Sequence, residues 1–270
     1  MDTITPIVDF RAALAGLHDL SDRVAFVPGG YGGLGEAIVW GLALNGARVV
    51  VAGRSRDKAA ALAGALGEQG LDAASVAFDA TSVAEIGDSA DFVVDRFGRL
   101  DILVNCIGIQ REQPVLEVTE EAFDEVYRAN LKAAMFLAQA AAAKQVAAGA
   151  GGKQIHLLSV RAQLGLKDRG YSAYCSTKGG LALLIKQHAV ELARHAVTVN
   201  GVAPTFVYTE MIRHVMENPE FRAHLHERIP LGRIADPKDV VGPVLFFAAP
   251  ASDFVTGQIL YVDGGLTATQ

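Results

Sequence analysis

The sequence has little of what disulfide-stabilised, metal-binding, nucleic-acid-binding or membrane-spanning proteins require. Only two of its 270 residues are cysteines, Cys106 and Cys175, so we expect no disulfide framework, and no Cys/His cluster has metal-ligand spacing. The net charge of −6 argues against nucleic acid or an anionic membrane as partner, because both need clustered Lys and Arg. No apolar run approaches the roughly 20 residues of a membrane-spanning helix, and the N-terminus lacks the basic flank and apolar run of a signal peptide. We therefore expect a cytoplasmic protein without a metal.

What the sequence does have is a regular alternation of short β-branched runs and longer Ala/Leu-rich runs. The predicted strands are Val24–Val27, Ala47–Ala52, Ser75–Phe78, Ile102–Val104, Gln154–Leu158, Val197–Val202 and Ile259–Val262. The predicted helices are Leu34–Asn45, Arg56–Gln69, Val83–Phe97, Glu120–Ala148, Ala173–His195 and Lys238–Ala248. Several strands are apolar throughout, as is typical of strands covered on both faces.

This order predicts an α/β fold, a Rossmann-type doubly wound parallel sheet with helices on both faces. Residues 21–270 form a single domain in this interpretation, and residues 1–20 form an extension outside the core. The rhythm is interrupted at about residues 205–230, where we predict a mobile flap over the substrate.

A glycine-rich turn follows the first predicted strand. Gly29, Gly33 and Gly35 have the spacing Gly-x-x-x-Gly-x-Gly and precede a helix. Glycine lets the backbone approach a ligand closely, and a helix N-terminus presents free N–H groups that suit a pyrophosphate. A tight turn with no ligand is the alternative, but its position at the first strand–helix junction favours a dinucleotide site.

A second pattern, Tyr174-Cys175-Ser176-Thr177-Lys178, opens a predicted helix. Tyr174 and Lys178 are four residues apart and so share one helix face. A fixed ammonium beside a phenol favours the phenolate and makes proton exchange with an alcohol feasible. A tyrosine and a lysine with this spacing would ordinarily be solvated residues on a helix surface. However, Ser159 ends an apolar strand fifteen residues before Tyr174 and could reach the same substrate oxygen.

Together these segments resemble the short-chain dehydrogenases/reductases, in the family's order and over nearly the whole chain after Asp22. The segments that carry the resemblance are PGGYGGLG, NCIG, RANLKAAMF, Ser159, YCSTK, VNGVAPTFVYTEM and SDFVTGQILYVDGG. The resemblance implies that Tyr174 is the general acid/base and that Lys178 lowers its pKa and holds the nicotinamide ribose. It also implies that Ser159 hydrogen-bonds the substrate oxygen and that Asn130 supports a water-linked proton path.

The expected cofactor contacts lie in the glycine-rich turn, at the strand ends and on the catalytic helix. They are Gly29, Tyr31, Gly33, Leu34, Gly35, Arg54, Ser55, Asp79, Ala80, Asn105, Gly108, Tyr174, Lys178, Pro204, Val207 and Thr209.

The end of the second strand bears on the choice of cofactor. Enzymes that prefer NAD usually carry an acid there to accept hydrogen bonds from the adenosine ribose, and Gly53 cannot do this. Arg54, with Ser55, could instead pair with a 2′-phosphate. These observations favour NADP over NAD, unless Arg54 is simply solvated.

Four further segments are GIQR (Gly108 to Arg111), SVRAQLG (Ser159 to Gly165), VELARH (Val190 to His195) and ASDFVTGQILYVDGG. Together they resemble the bacterial gluconate 5-dehydrogenase subfamily and its deoxygluconate dehydrogenase relatives. The resemblance implies interconversion of a secondary alcohol and a ketone on a sugar acid or polyol. Arg111 and Arg161 follow strand ends, where they could bind a substrate carboxylate beside Ser159 and Tyr174. Either arginine could equally be a surface ion-pair residue.

Three alternatives stay open at this stage. One is a 3-oxoacyl or general carbonyl reductase, and another is a nucleotide-sensing protein without turnover, which the intact catalytic set argues against. The third, nucleophilic catalysis by Cys106 or Cys175, lacks a recognisable histidine partner. Family resemblance also implies a homotetramer.

Overall fold

The structure, a computed structural model, describes residues 10, 14–209 and 217–269. Its seven strands are β1 (Val24–Pro28), β2 (Arg48–Gly53), β3 (Ala73–Ala77), β4 (Ile102–Asn105), β5 (Gly152–Leu157), β6 (Val197–Pro204) and β7 (Ile259–Val262). Its helices are α1 (Gly33–Leu44), α2 (Arg56–Glu68), α3 (Val83–Phe97), α4 (Glu120–Tyr127), α5 (Ala133–Ala148), α6 (Ser172–Leu192), α7 (Pro219–Arg228) and α8 (Pro237–Ala248).

The strands form one parallel sheet in the order β3-β2-β1-β4-β5-β6-β7. Alternate residues of β1 pack on opposite faces: Ala25 and Val27 lie against α1 and α8, whereas Val24 and Phe26 lie against α3 and α5. The predicted doubly wound α/β fold is therefore confirmed. The strand order reverses between β1 and β4, and ligands bind at such a switch point, beyond the carboxyl ends of the strands.

The prediction of one continuous helix over Glu120–Ala148 is wrong in detail. A π-helical turn, Arg128–Lys132, separates α4 from α5. π turns are rare and are frequent at functional sites, and this one carries Asn130. Local periodicity cannot distinguish such a turn, because it adds one residue to an otherwise helical run.

The predicted extension, residues 1–20, is only partly within the described residues. Its last residue, Leu20, is fully buried, and its N–H donates a hydrogen bond to the carbonyl of Asn45. Leu20 belongs to the main core, and the boundary of the extension stays a prediction.

The predicted flap, residues 205–230, also includes residues outside the described part, 210–216. Its described portion contains α7, which the sequence did not predict, and a bridge between Val207 and Ala235. The flap itself stays a prediction.

Candidate active site

Helix α6 brings Tyr174 and Lys178 together, as their spacing predicts. The Lys178 ammonium lies 5.6 Å from the centre of the Tyr174 ring. It is buried and donates a 2.7 Å hydrogen bond to the carbonyl of Leu157, the last residue of β5. Removal from water lowers the pKa of Lys178 to about 8. The lysine thus ties the catalytic helix to the strand that leads into Ser159.

The phenol of Tyr174 is sensitive to two neighbours. Burial raises its pKa to about 12, while a hydrogen bond with Ser159 and the charge of Arg161 both lower it. The family resemblance implied that Lys178 lowers the pKa of Tyr174, but in this structure the Lys178 ammonium donates its hydrogen bond to the Leu157 carbonyl. The Ser159 hydroxyl nevertheless lies near enough to lower the pKa of the phenol, so both groups can reach a single substrate oxygen.

Asn130 reaches the same region from the π turn. Its Oδ1 accepts a 2.8 Å hydrogen bond from the N–H of Ile109, and its Nδ2 donates to the Ile109 carbonyl at 2.9 Å. Its Nδ2 also contacts the hydroxyl of Thr177 at 3.2 Å. The sequence analysis did not identify Thr177 as a site residue, although its position directly before Lys178 could have indicated it.

The backbone of Gly108 lies next to two of these groups. A Cβ on Gly108 would stand 3.5 Å from the Lys178 Nζ and 3.9 Å from the Asn130 Oδ1. The backbone at Gly108 therefore borders both polar groups without a side chain between them. All four predicted catalytic residues converge at this place.

The glycine-rich turn is shaped as a close-approach loop. Gly29 has a φ of +78°, and a Cβ on Gly35 would overlap the carbonyl oxygen of Gly29 at 2.2 Å. A Cβ on Gly33 would stand 2.9 Å from the Cβ of Thr209, so the segment after β6 lies over the turn. Among the described residues, no side chain caps α1 at Gly32, which leaves the N–H groups of its first turn for a ligand. The turn therefore fits a pyrophosphate.

At the end of β2, the ring of Tyr31 packs against Gly53. A Cβ on Gly53 would stand 2.7 Å from the Tyr31 Cε1, which explains why no acidic side chain occupies this position. Arg54 is exposed, and its charge helps to lower the pKa of Asp79 beyond β3, after the larger effect of the Thr81 N–H. The Ser55 hydroxyl accepts from the Lys58 N–H and so caps α2.

The remaining predicted cofactor residues lie in or next to this crevice. Leu34 packs on the core from the first turn of α1, and Ala80 is buried beyond β3. Pro204 ends β6, and Val207 is buried three residues later. They therefore border the site by position.

Asn105, the last residue of β4, is held by a residue that the sequence reading missed. Its Nδ2 lies 3.3 Å from the Nδ1 of His156, and its Oδ1 accepts from the Ile107 N–H at 3.0 Å. His156 is fully buried on β5, and burial lowers its pKa to about 3. The neutral imidazole can therefore accept from Asn105 and fix the turn that leads to Gly108.

The two arginines predicted for the substrate differ in their surroundings. Arg111 is exposed and forms a two-bond ion pair with Glu125, in which Nε lies 2.7 Å from Oε2. Arg161 is 5% exposed and donates from Nη1 to the carbonyls of Leu164 and Gly165. Arg161 is therefore buried two residues after Ser159, and its charge helps to lower the pKa of Tyr174, whereas Arg111 is exposed and paired.

The two loops that flank this side are joined to each other. Arg169 pairs with Glu112, and the Gln113 N–H donates to the Gly170 carbonyl at 3.0 Å. Tyr171, which follows, lies edge-on to Tyr174 with ring centres 6.0 Å apart. Contacts between these loops therefore support one wall of the site.

Other chemistries find little support among the described residues. Burial raises the pKa of Cys106 to about 12 and also raises that of Cys175, which disfavours a nucleophilic thiolate. Within residues 10, 14–209 and 217–269, no three His, Cys, Asp or Glu side chains are grouped to hold a metal ion. No helix in the part of the chain that the structure describes is long and apolar enough to cross a membrane.

Comparison with known proteins agrees with this geometry. A family model described as enoyl-(acyl carrier protein) reductase matches residues 30–267. The 5-keto-D-gluconate 5-reductase of Escherichia coli (strain K12) is 33% identical over 93% of this chain and 97% of its own. The gluconate 5-dehydrogenase of Gluconobacter oxydans (strain 621H) is 34% identical over 94% and 98%, respectively. A gluconate 5-dehydrogenase from Burkholderia cenocepacia J2315, solved in complex with NADP and tartrate, is 35% identical over 94% and 99%, with a TM-score of 0.90.

Proposed function

Because this chain belongs to the short-chain dehydrogenase/reductase family, we propose that it is an NADP-preferring dehydrogenase that interconverts a secondary alcohol and a ketone on a sugar acid. The observation that carries the proposal is the convergence of Asn130, Ser159, Tyr174 and Lys178 beside the glycine-rich turn.

Each of these residues has a role that its contacts support. Tyr174 exchanges a proton with the substrate oxygen, and Ser159, which hydrogen-bonds the phenol, holds that oxygen in place. Lys178 contributes a positive charge and hydrogen-bond donors beside the phenol, which a nicotinamide ribose can also use. Asn130 keeps the Ile109 backbone in position and borders a path for water to the lysine. When bound, the nicotinamide supplies or accepts the hydride.

The preference for NADP rests on the end of β2. Gly53 offers no acid to the ribose hydroxyls, and Tyr31 occupies the space that a side chain there would need. Arg54 is exposed next to it and can pair with a 2′-phosphate. The NADP of the Burkholderia cenocepacia relative is in line with this choice. The other predicted cofactor residues remain proposals.

The substrate class rests on the relatives and on a cationic site. Two of the relatives are named for gluconate and one for 5-keto-D-gluconate, and the tartrate of the Burkholderia cenocepacia relative is a small hydroxy acid. Arg161 provides a buried positive charge near the phenol of this chain. A hydroxy acid with its alcohol at Tyr174 fits this arrangement.

We also infer that copies of the chain assemble, as a tetramer, and that they act in the cytoplasm. Exposed apolar side chains recur along α4, α5 and α6, where a second copy could cover them. They are Phe123, Tyr127, Val146, Leu183 and Val190. Light scattering behind size-exclusion chromatography tests the tetramer, and a single-copy mass would contradict it.

One experiment tests the proposed activity against its main rival, reduction of 3-oxoacyl groups. The absorbance of reduced nicotinamide is followed with D-gluconate, 5-keto-D-gluconate, neutral polyols and a 3-oxoacyl thioester, each with NADP(H) and NAD(H). We expect turnover with the sugar acids and higher catalytic efficiency with NADP(H). Turnover of the thioester alone would replace the sugar-acid proposal by the reductase.

A further inference from the structure

Arg161 is a buried cation that lacks a carboxylate partner among the described residues. It lies two residues after Ser159, in the 3-10 turn Val160–Ala162, and is 5% exposed. Buried arginines are normally paired with carboxylates, because an uncompensated buried charge is costly. Among the described residues, no Asp or Glu oxygen lies within 4.0 Å of Arg161.

The hydrogen bonds of Arg161 leave part of the guanidinium uncommitted. Within the described residues it donates from Nη1 alone, to the carbonyls of Leu164 and Gly165. A guanidinium has five N–H donors, and its Nε and Nη2 edge can bind a carboxylate through two parallel bonds. The residues whose charges favour ionised Arg161 are the weakly acidic Cys175, Tyr171 and Tyr174. Arg161 therefore has uncommitted donors two residues after Ser159.

A second cation approaches the same turn from α7. Leu225 and Ile229, on either side of Arg228, share a buried apolar cluster with Val160. This contact anchors the end of α7 on the turn that carries Arg161. The positive charge of Arg228 is close enough to lower the pKa of Arg161, as burial also does. Two cations held near each other at a catalytic serine favour an anion between them.

We propose that Arg161 and Arg228 together bind the carboxylate of the substrate. The inference rests on the sugar-acid proposal above, and it names the residues that distinguish an acid from a neutral polyol. Arg161 holds the carboxylate through its free donors, and Arg228 adds charge from the solvent side. Arg111 already forms an exposed ion pair with Glu125, and it serves as the comparison in the test below.

The test compares a sugar acid with the neutral polyol of the same carbon number, D-gluconate with D-glucitol. The variants are Arg161→Gln, Arg161→Lys and Arg228→Gln, and Arg222→Gln is the control, an exposed arginine on the same helix. For Arg161→Gln we expect kcat/KM for gluconate to fall roughly 10- to 100-fold, mainly through KM, since a charged hydrogen bond is lost. Arg161→Lys should recover part of this loss. Arg228→Gln should lose about 3- to 10-fold, and Arg222→Gln should match the wild type.

The glucitol reaction separates carboxylate binding from general damage to the site. Arg222→Gln should leave its kcat/KM unchanged. In Arg161→Gln and Arg228→Gln it should fall at least about threefold less than the kcat/KM for gluconate, because glucitol has no carboxylate contact to lose. An equal loss for gluconate and glucitol in Arg161→Gln would overturn the inference. So would a loss of acid preference in Arg111→Gln that Arg161→Gln does not share. If Arg161→Gln does not bind NADPH and so has not folded, the Arg228→Gln and Arg161→Lys variants test the inference instead.

A binding measurement keeps this inference distinct from the proposed function. Calorimetric titration of the enzyme–NADP complex with tartrate needs no turnover. We expect affinity in the wild type and a roughly 10-fold or greater loss in Arg161→Gln. Tartrate binding that depends on Arg161 without turnover of any sugar acid would contradict the sugar-acid proposal and retain the carboxylate site. Turnover of gluconate together with unchanged tartrate binding in Arg161→Gln would retain the sugar-acid proposal and overturn the carboxylate site.

Discussion

The hydroxyl of Tyr31 accepts a 2.8 Å hydrogen bond from the backbone N–H of Ser55. One side chain thereby joins the glycine-rich turn after β1 to the start of α2, across the place where β2 ends. Its ring also fills the space next to Gly53. The polar group that remains available to an adenosine ribose at this strand end is Arg54.

Replacement of Arg54 by Ala should therefore weaken NADP and leave NAD unaffected. We expect the KM for NADP to rise about 10-fold, because one charge-assisted contact to a 2′-phosphate is lost. Steady-state kinetics with both cofactors measure this change. Lys58→Ala, which removes an exposed positive charge one turn further along, is the control. An equal loss with NAD would mean that Arg54 supports the fold rather than the phosphate.

Tyr174→Phe should remove the proton transfer and preserve the fold. The expected decrease in kcat is about 10²- to 10⁴-fold, the usual contribution of a positioned acid/base, and NADPH binding measured by fluorescence should persist. In the wild type, alcohol oxidation should accelerate as pH rises. The reason is that burial raises the pKa of Tyr174 to about 12, so the phenolate fraction grows with pH. A flat pH profile for oxidation would contradict this role.

Thr177→Val tests whether Asn130 depends on its hydroxyl neighbour. The substitution keeps the shape but removes the acceptor that lies 3.2 Å from the Asn130 Nδ2. We expect kcat to fall about 3- to 10-fold with little change in the KM for NADP. Ser176→Ala is a matched control, since its hydroxyl bonds the carbonyl three residues earlier, as that of Thr177 does, without contacting Asn130. Equal effects of the two variants would refute a specific link.

His156 should make the fold sensitive to acid. Burial lowers its pKa from 6.5 to about 3, so between these values the unfolded chain binds a proton that the folded chain does not. The free energy of unfolding therefore decreases as pH falls from about 6.5 towards 3, and above 6.5 this contribution is constant.

In His156→Asn, where the amide oxygen can still accept from Asn105, the loss of stability between pH 7 and pH 5 should be smaller. Urea denaturation at both pH values measures it, and His224→Asn, which replaces an exposed histidine, is the control. Identical pH dependence in wild type and His156→Asn would show that His156 does not carry the effect.

The sequence alone determined the order of the seven strands, most of the helices between them and the glycine-rich turn and Tyr–Lys segment of the site. Apolar runs and helical periodicity are local properties, so they located all seven strands within a few residues of their observed bounds. The spacing of Tyr174 and Lys178 fixed their common helix face for the same reason.

Only the tertiary structure decided which distant side chains meet. The contact between Tyr31 and Gly53, the pairing of Arg111 with Glu125 and the support of Asn105 by His156 join residues far apart in the chain. They depend on strand order and packing, which no local pattern encodes. For the same reason, the burial of Arg161 next to Val160, which packs against the end of α7, could not be predicted from a short segment of sequence.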